Sequence, residues 1–238
     1  MKIAVLFDGA GLARLGLEQA GHECYGFEID PIKVHLGSFV GSGNVELEDV
    51  LNISLKGFDA AWCSPPCQKI SFARTQGSVK SEYSQVDYTD WSLRLNIPDL
   101  WVENVVEGNT KIQFGTIWNA GQFSPIPIQN RNRVIGGRYI SPTPYHKYQK
   151  HFPEAINAIV ATEYKGCASD QRRASRDLQR KLTIEECASY QGFEIPDEWY
   201  DPLPGFTESQ WMKKLYEAIG NGVPVYMAKA FGEVYPVD

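Results

Sequence analysis

The sequence has no long apolar run. Near its start the longest is Ile3–Phe7, cut by Asp8. A secretory core needs roughly 7–15 apolar residues and a membrane span about 20, so neither is expected. Cysteine is sparse: five residues, an odd number, scattered as Cys24, Cys63, Cys67, Cys167 and Cys187. That excludes a disulfide framework and points to a reducing, cytoplasmic setting. No second ligand pair accompanies Cys63 and Cys67, and His146 and His151 have no metal-like partners, so no metal site is expected. Internal repeats and low-complexity tracts are also absent. Positive charge is in deficit, 23 Lys/Arg against 29 Asp/Glu for a net −6, which removes the usual footprint of a nucleic-acid-binding domain.

That deficit is uneven. Between Gln129 and Lys181 lie 11 Lys/Arg and only 4 Asp/Glu, so the rest of the chain is the acidic part. A basic segment on an acidic body can hold phosphate locally while the body stays dispersed; a solvated charged face is the plain alternative. The 238 residues, 43% hydrophobic and 22% charged, suit one large domain or one domain with a small insert.

Strand and helix signals alternate at the start. Ile3–Phe7 reads as a buried parallel strand, and Leu12, Leu15, Leu17 and Ala20 follow at near-helical spacing, stopped by Gly21. Cys24–Ile29 reads as a second strand, and Asp30-Pro31 as an N-cap with Pro at the first helical position. Phe58–Trp62, Leu100–Val102 and Arg133–Ile140 are further strand signals. The order predicts an α/β fold, an open, mostly parallel sheet with helices on both faces. Thr183-Ile-Glu-Glu186 and Thr207-Glu-Ser-Gln210 predict capping boxes, and Pro224 a last helix. Residues 139–181, rich in Tyr, His, Lys and Arg, read as an insert between 1–138 and 182–238. The polar stretch Phe72–Asp90 reads as a long loop.

Four constellations carry chemistry. Phe7-Asp8-Gly9-Ala10-Gly11 joins the first strand to the first helix, where glycines admit a ligand beside the helix dipole. Glu28 and Asp30 end the next strand, where a carboxylate can grip ribose hydroxyls. A tight turn, a nicotinamide dinucleotide or an adenosine-type ligand would each suit the loop; the strand-end acid favours the last. Ser64-Pro65-Pro66-Cys67-Gln68 holds a thiol at the carboxyl edge of the sheet, a nucleophile if its pKa falls and an inert buried cysteine otherwise. Glu103-Asn104 ends another strand on the same edge. In Gln129-x-Arg131-x-Arg133 the alternation puts three long polar side chains on one face if the segment is extended.

In this order, with Val105 after Glu103-Asn104 and with Gly220-Asn221-Gly222-Val223 near the end, these motifs resemble those of the cytosine-C5 DNA methyltransferases. Leu182–Phe193 also resembles that family's late helical motif. The resemblance runs from near residue 3 to residue 232. It departs in Leu12 and Gly222, where glycine and serine are usual, and in the 26 positions between Glu103 and Gln129, a short spacing for the family.

The resemblance implies a Rossmann-like, S-adenosylmethionine-dependent methyltransferase with a compact recognition insert at 139–181, as in a phage or restriction–modification enzyme. It implies Cys67, Glu103, Arg131 and Arg133 as catalytic residues: a thiolate attacking C6, an acid at N3, and arginines at the base and beside the thiol. The cofactor would be lined by Phe7, Gly9, Gly11, Glu28, Ile29, Asp49, Pro65, Asn221 and Val223, leaving S-adenosylhomocysteine as product. A flipped cytosine in double-stranded DNA would be held with help from Gln68, Ser71, Arg74, Arg172, Arg173, Arg176 and Arg180, the enzyme acting as a monomer. The rival readings are an RNA cytosine methyltransferase, a silent DNA-binding relative, and a nicotinamide oxidoreductase that leaves Cys67 and the arginines unexplained.

Overall fold

The protein's computed structural model describes residues 1–67, 88–106, 112, 115–166 and 174–237. Its elements are β1 (Lys2–Leu6), α1 (Leu12–Gln19), β2 (Glu23–Glu28), α2 (Pro31–Gly37), β3 (Val45–Leu47), β4 (Ala60–Cys63), α3 (Thr89–Leu93) and β5 (Asp99–Val105). There follow β6 (Thr116–Asn119), β7 (Gln129–Asn130), β8 (Asn132–Arg138), β9 (Ile156–Asn157), α4 (Ala174–Asp177), α5 (Ile184–Gln191), α6 (Glu208–Asn221) and α7 (Val225–Gly232).

Seven strands form one sheet in the order β3-β2-β1-β4-β5-β8-β6. The first five are parallel, and β8 runs antiparallel between β5 and β6. The fold is thus the α/β, mostly parallel one that the strand–helix alternation predicts, and the Rossmann-like one that the resemblance implies. Chain order reverses between β1 and β4, and ligands of open α/β sheets bind outside the strands' carboxyl ends at such a point.

Period-two alternation divides the core. Ile3, Val5, Ala60, Trp62, Trp101 and Ile135 face α1 and α7, which supply Ala13, Leu17, Met227, Ala228 and Phe231. Ala4, Leu6, Ala61, Cys63, Leu100, Val102 and Val134 face the other way, toward Val50 and Ile97. The Trp62 ring meets those of Trp101 and Phe231 at 5.9 Å each. All three residues are fully buried, and each such side chain contributes about 1.5–3 kcal/mol by burial.

The helix ends follow the expected chemistry. The Asp30 carboxylate accepts from Ile32 N at 3.0 Å ahead of Pro31, and Thr183/Glu186 and Thr207/Gln210 both close reciprocal boxes. Part of the expected Phe72–Asp90 loop is different: Thr89 and Asp90 already belong to α3, and only Tyr88 of its described residues precedes the helix. Ile159 and Ala174 of the 139–181 segment pack in the same cluster as Trp199, Trp211 and Leu215. Among the described residues no helix is long and apolar enough to cross a membrane.

Candidate active site

The turn after β1 is built from left-handed residues. Phe7 (φ 58°), Gly9 (φ 62°) and Gly11 (φ 84°) all have positive φ. For the glycines this is easy; for Phe7 it costs about 1–2 kcal/mol, and such strain collects where a ligand is held. Asp8 N donates to Phe27 O at 3.1 Å, and the Phe7 ring meets Tyr88 at 5.5 Å and Trp91 at 6.2 Å. Glu28 ties the ends of β1 and β2: one carboxylate oxygen accepts from Gly9 N at 2.9 Å, the other from Ile29 N at 2.9 Å and Asp30 N at 3.0 Å.

Beneath this turn lies an ion pair that the sequence reading missed. Arg14, fully buried on α1, donates to Asp8 Oδ2 at 3.0 Å, Val40 O at 3.0 Å and Gly37 O at 2.7 Å. Burial pushes the Asp8 carboxyl up to about 6, with the Arg14 charge pulling the other way. Gly26 on β2 is glycine for the same reason: a Cβ there would run into the Asp8 carboxylate. An acid inside a glycine turn, six residues before an arginine set among Leu12, Ala13, Leu15 and Leu17, was the available signal.

One cavity of about 380 Å³ opens at the switch point. Eight of the nine residues expected around a cofactor line it: Phe7, Gly9, Glu28, Ile29, Asp49, Pro65, Asn221 and Val223. Asp8, Asp30, Lys33 and Tyr88 join them, and Cys67, Glu103 and Arg133 line the same cavity. Gly11 is not among the lining residues. It is the N-cap of α1, and a Cβ on it would press on the Arg14 guanidinium, so the turn packs on the ion pair.

Cys67 lies in the segment that follows β4, and Glu103 and Arg133 lie on β5 and β8, where those strands reach one edge. Arg133 pairs with Val105 across the antiparallel ladder, which lays its side chain over the end of β5. Its Nε lies 2.6 Å from Glu103 Oε1, and Glu103 is 6% exposed. Burial pushes the Cys67 thiol up; the Arg133 charge lowers it, Glu103 raises it and Arg131 lowers it. The thiol of the free protein is therefore protonated at neutral pH.

Arg131 faces elsewhere. Its guanidinium is buried and donates to Ile159 O, to Gly220 O at 3.1 Å and to Gly222 O at 2.9 Å. It clamps the end of α6 at Asn221, and the loop that follows, against the strand that carries Arg133. Burial lowers its pKa to about 9.

Of the residues expected on nucleic acid, Arg176 is exposed on α4, and the exposed Arg180 is engaged by Glu186 at 2.5 and 2.8 Å. Gln68, Ser71, Arg74, Arg172 and Arg173 lie outside the described residues.

A mostly parallel sheet thus carries at its switch point an acid-rich cavity that a thiol, a carboxylate and an arginine share. The sequence model for C-5 cytosine-specific DNA methylase matches residues 92–235, and the chain belongs to that family. No curated protein matches the chain by sequence. Among solved structures it is similar to the Entamoeba histolytica methyltransferase EhMeth, at 14% identity over 97% of this chain and 96% of that one, with a TM-score of 0.63. A candidate DNA modification methyltransferase encoded within an E. coli prophage gives 16%, 98%, 97% and 0.58 by the same measures. The S. pombe Dnmt2 methyltransferase gives 14%, 96%, 96% and 0.56. At these identities the likeness shows the fold. Membership of the family implies a nucleic-acid substrate and a methyl donor of the S-adenosylmethionine type.

Proposed function

We propose that the protein methylates C5 of a cytosine flipped out of double-stranded DNA, using S-adenosylmethionine and a transient bond between Cys67 and C6. The observation that carries this is the convergence of Cys67, Glu103 and Arg133 on one cavity with Phe7, Glu28 and Asn221.

The donor set fits a cationic nucleoside. The carboxylates of Glu28, Asp30 and Asp49 line that half of the cavity with Lys33 as its one cation among the described residues, the Asp8 carboxylate being taken up by Arg14. Such a set welcomes a sulfonium and an ammonium and repels a pyrophosphate, which disfavours a nicotinamide dinucleotide. Glu28 would hold the ribose, Ile29 and Asp49 the adenine, and Phe7, Gly9, Pro65, Asn221 and Val223 the remainder. When bound, the donor supplies an electrophilic methyl group.

C5 of cytosine is a poor nucleophile. Cys67 passes its proton to solvent as the base arrives and its sulfur bonds to C6, and the displaced ring electrons make C5 an enamine carbon. Glu103, once it has taken up a proton from solvent, donates a hydrogen bond to N3, and Arg133 holds O2, so charge gathered on the ring meets groups already in place. The Arg133–Glu103 contact fills the site before the base arrives, and base entry exchanges it for these two bonds. After methylation the C5 proton leaves to solvent or a DNA phosphate, the Cys67–C6 bond breaks, and its electron pair returns to sulfur. Arg131 acts as a positioning residue through the end of α6 at Asn221. Residues 139–181 form the recognition insert on a catalytic domain made of 1–138 and 182–238, with Arg176, Arg180 and the arginines before them on phosphate.

The test is transfer of labelled methyl to duplex DNA and to transfer RNA in parallel. Cys67→Ser is expected to abolish transfer and leave DNA binding intact, and Glu103→Gln to slow it about 100-fold or more. Turnover by Cys67→Ser excludes the adduct, and transfer to RNA alone replaces the DNA reading.

A further inference from the structure

Between Glu107 and Glu154 the chain has no acidic residue, although it carries 29 in all. Within that interval Tyr145–His151 forms an irregular strap over the end of the sheet. Buried amides hold it: Tyr145 N donates to Gln122 O at 2.9 Å, and Asn119 Nδ2 donates to Gln149 O at 3.0 Å. Asn132 Nδ2 donates to Lys150 O at 3.0 Å, and Asn130 Oδ1 accepts from Phe152 N at 2.7 Å. The backbone is thus fixed and the side chains point out: Tyr145 is 69% and Tyr148 45% exposed, and Lys147, Lys150 and His151 are exposed beside them.

The strap is tied to the strand that carries Arg133. Tyr148 Oη donates to Asn132 Oδ1 at 3.3 Å, and Asn132 precedes Arg133, whose Nη1 donates to Asn132 O at 3.0 Å. A rigid, acid-free ridge of two tyrosines among cations suits a strand whose bases are unstacked. Flipping one base opens the stack at that point and leaves its neighbours with an uncovered face. Resting on the reading above, the geometry points to Tyr145–His151 as the seat of the target strand beside the flipped cytosine. Tyr148 stacks on a flanking base, and Lys147 and Lys150 hold its phosphates.

The test is fluorescence anisotropy with labelled duplex DNA containing an unpaired cytosine, over a salt series, on the full chain. Tyr148→Ala is expected to weaken binding about tenfold, and Tyr148→Phe, which keeps the ring and loses the Asn132 bond, to bind like the wild type. Removing both lysines (Lys147→Gln, Lys150→Gln) should flatten the salt slope by about two. Unchanged melting of the variants attributes the loss to contact. If Tyr148→Ala binds as the wild type does while the wild type binds and methylates, the strap is overturned and the function stands. If the wild type neither binds DNA nor transfers methyl to it, both fall.

Discussion

Removing the Arg14 side chain tests how the cofactor turn is held. In Arg14→Met the apolar stem stays and the guanidinium goes, leaving the Asp8 carboxylate buried without its donor and the carbonyls of Gly37 and Val40 with only the backbone amides of Val40 and Gly43. Breaking a fully buried pair from one side costs about 3–5 kcal/mol, because the remaining charge keeps its desolvation penalty. In a chain of 238 residues each kcal/mol moves the melting midpoint by roughly 2–4 °C, so a fall on the order of 10 °C is expected. The double variant Asp8→Ala/Arg14→Met removes both charges and should recover part of the loss, a coupling of about 1–3 kcal/mol. Urea unfolding of the four proteins closes the cycle. Because Asp8 sits between Phe7 and Gly9, the single variant should also weaken binding of an S-adenosylmethionine analogue measured by calorimetry. A midpoint within 2 °C of the wild type, with additive single effects, would show that the pair does not hold the turn.

The Asp8 carboxyl has a pH signature of its own. Its native pKa of about 6 exceeds the ordinary 3.8, so between pH 4 and 6 the native state holds a proton that the unfolded chain has released. Stability therefore falls with rising pH in that window, and Asp8→Asn should flatten the slope; an unchanged slope assigns it to other groups. The raised Cys67 thiol predicts slow alkylation by iodoacetamide at pH 8 relative to a free cysteine, read by peptide mass spectrometry. Rapid labelling would mean that the free protein already holds a thiolate. Gly26→Ala should cost about 1–3 kcal/mol by thermal melting, since its methyl group meets the Asp8 carboxylate; a neutral result would mean that the turn can shift.

Much of this protein is written locally. The apolar run of β1, the Asp30-Pro31 cap and the two capping boxes act within a few residues, so their sequence patterns carry over directly into elements. The sheet-edge positions of Cys67 and Glu103 follow from the same local logic, because each ends or follows a strand signal in a parallel array. Strand direction is different: Arg133–Ile140 reads as a strand, yet nothing in its residues says that β8 runs antiparallel beside β5 and so turns Arg133 onto Glu103. Arg131 and Arg133 look equivalent in Gln129-x-Arg131-x-Arg133. Only packing sends one guanidinium to the carbonyls of Gly220 and Gly222 and the other into the cavity. The Asp8–Arg14 pair depends on Gly26 of β2 and on Gly37 and Val40 at the end of α2, brought from two separate segments, and a charge is stable when buried only if its partners arrive from elsewhere in the chain. Periodicity and capping are properties of neighbours in sequence. Desolvation, ion pairing and the shared wall of a cavity are properties of neighbours in space, and here tertiary structure alone decided them.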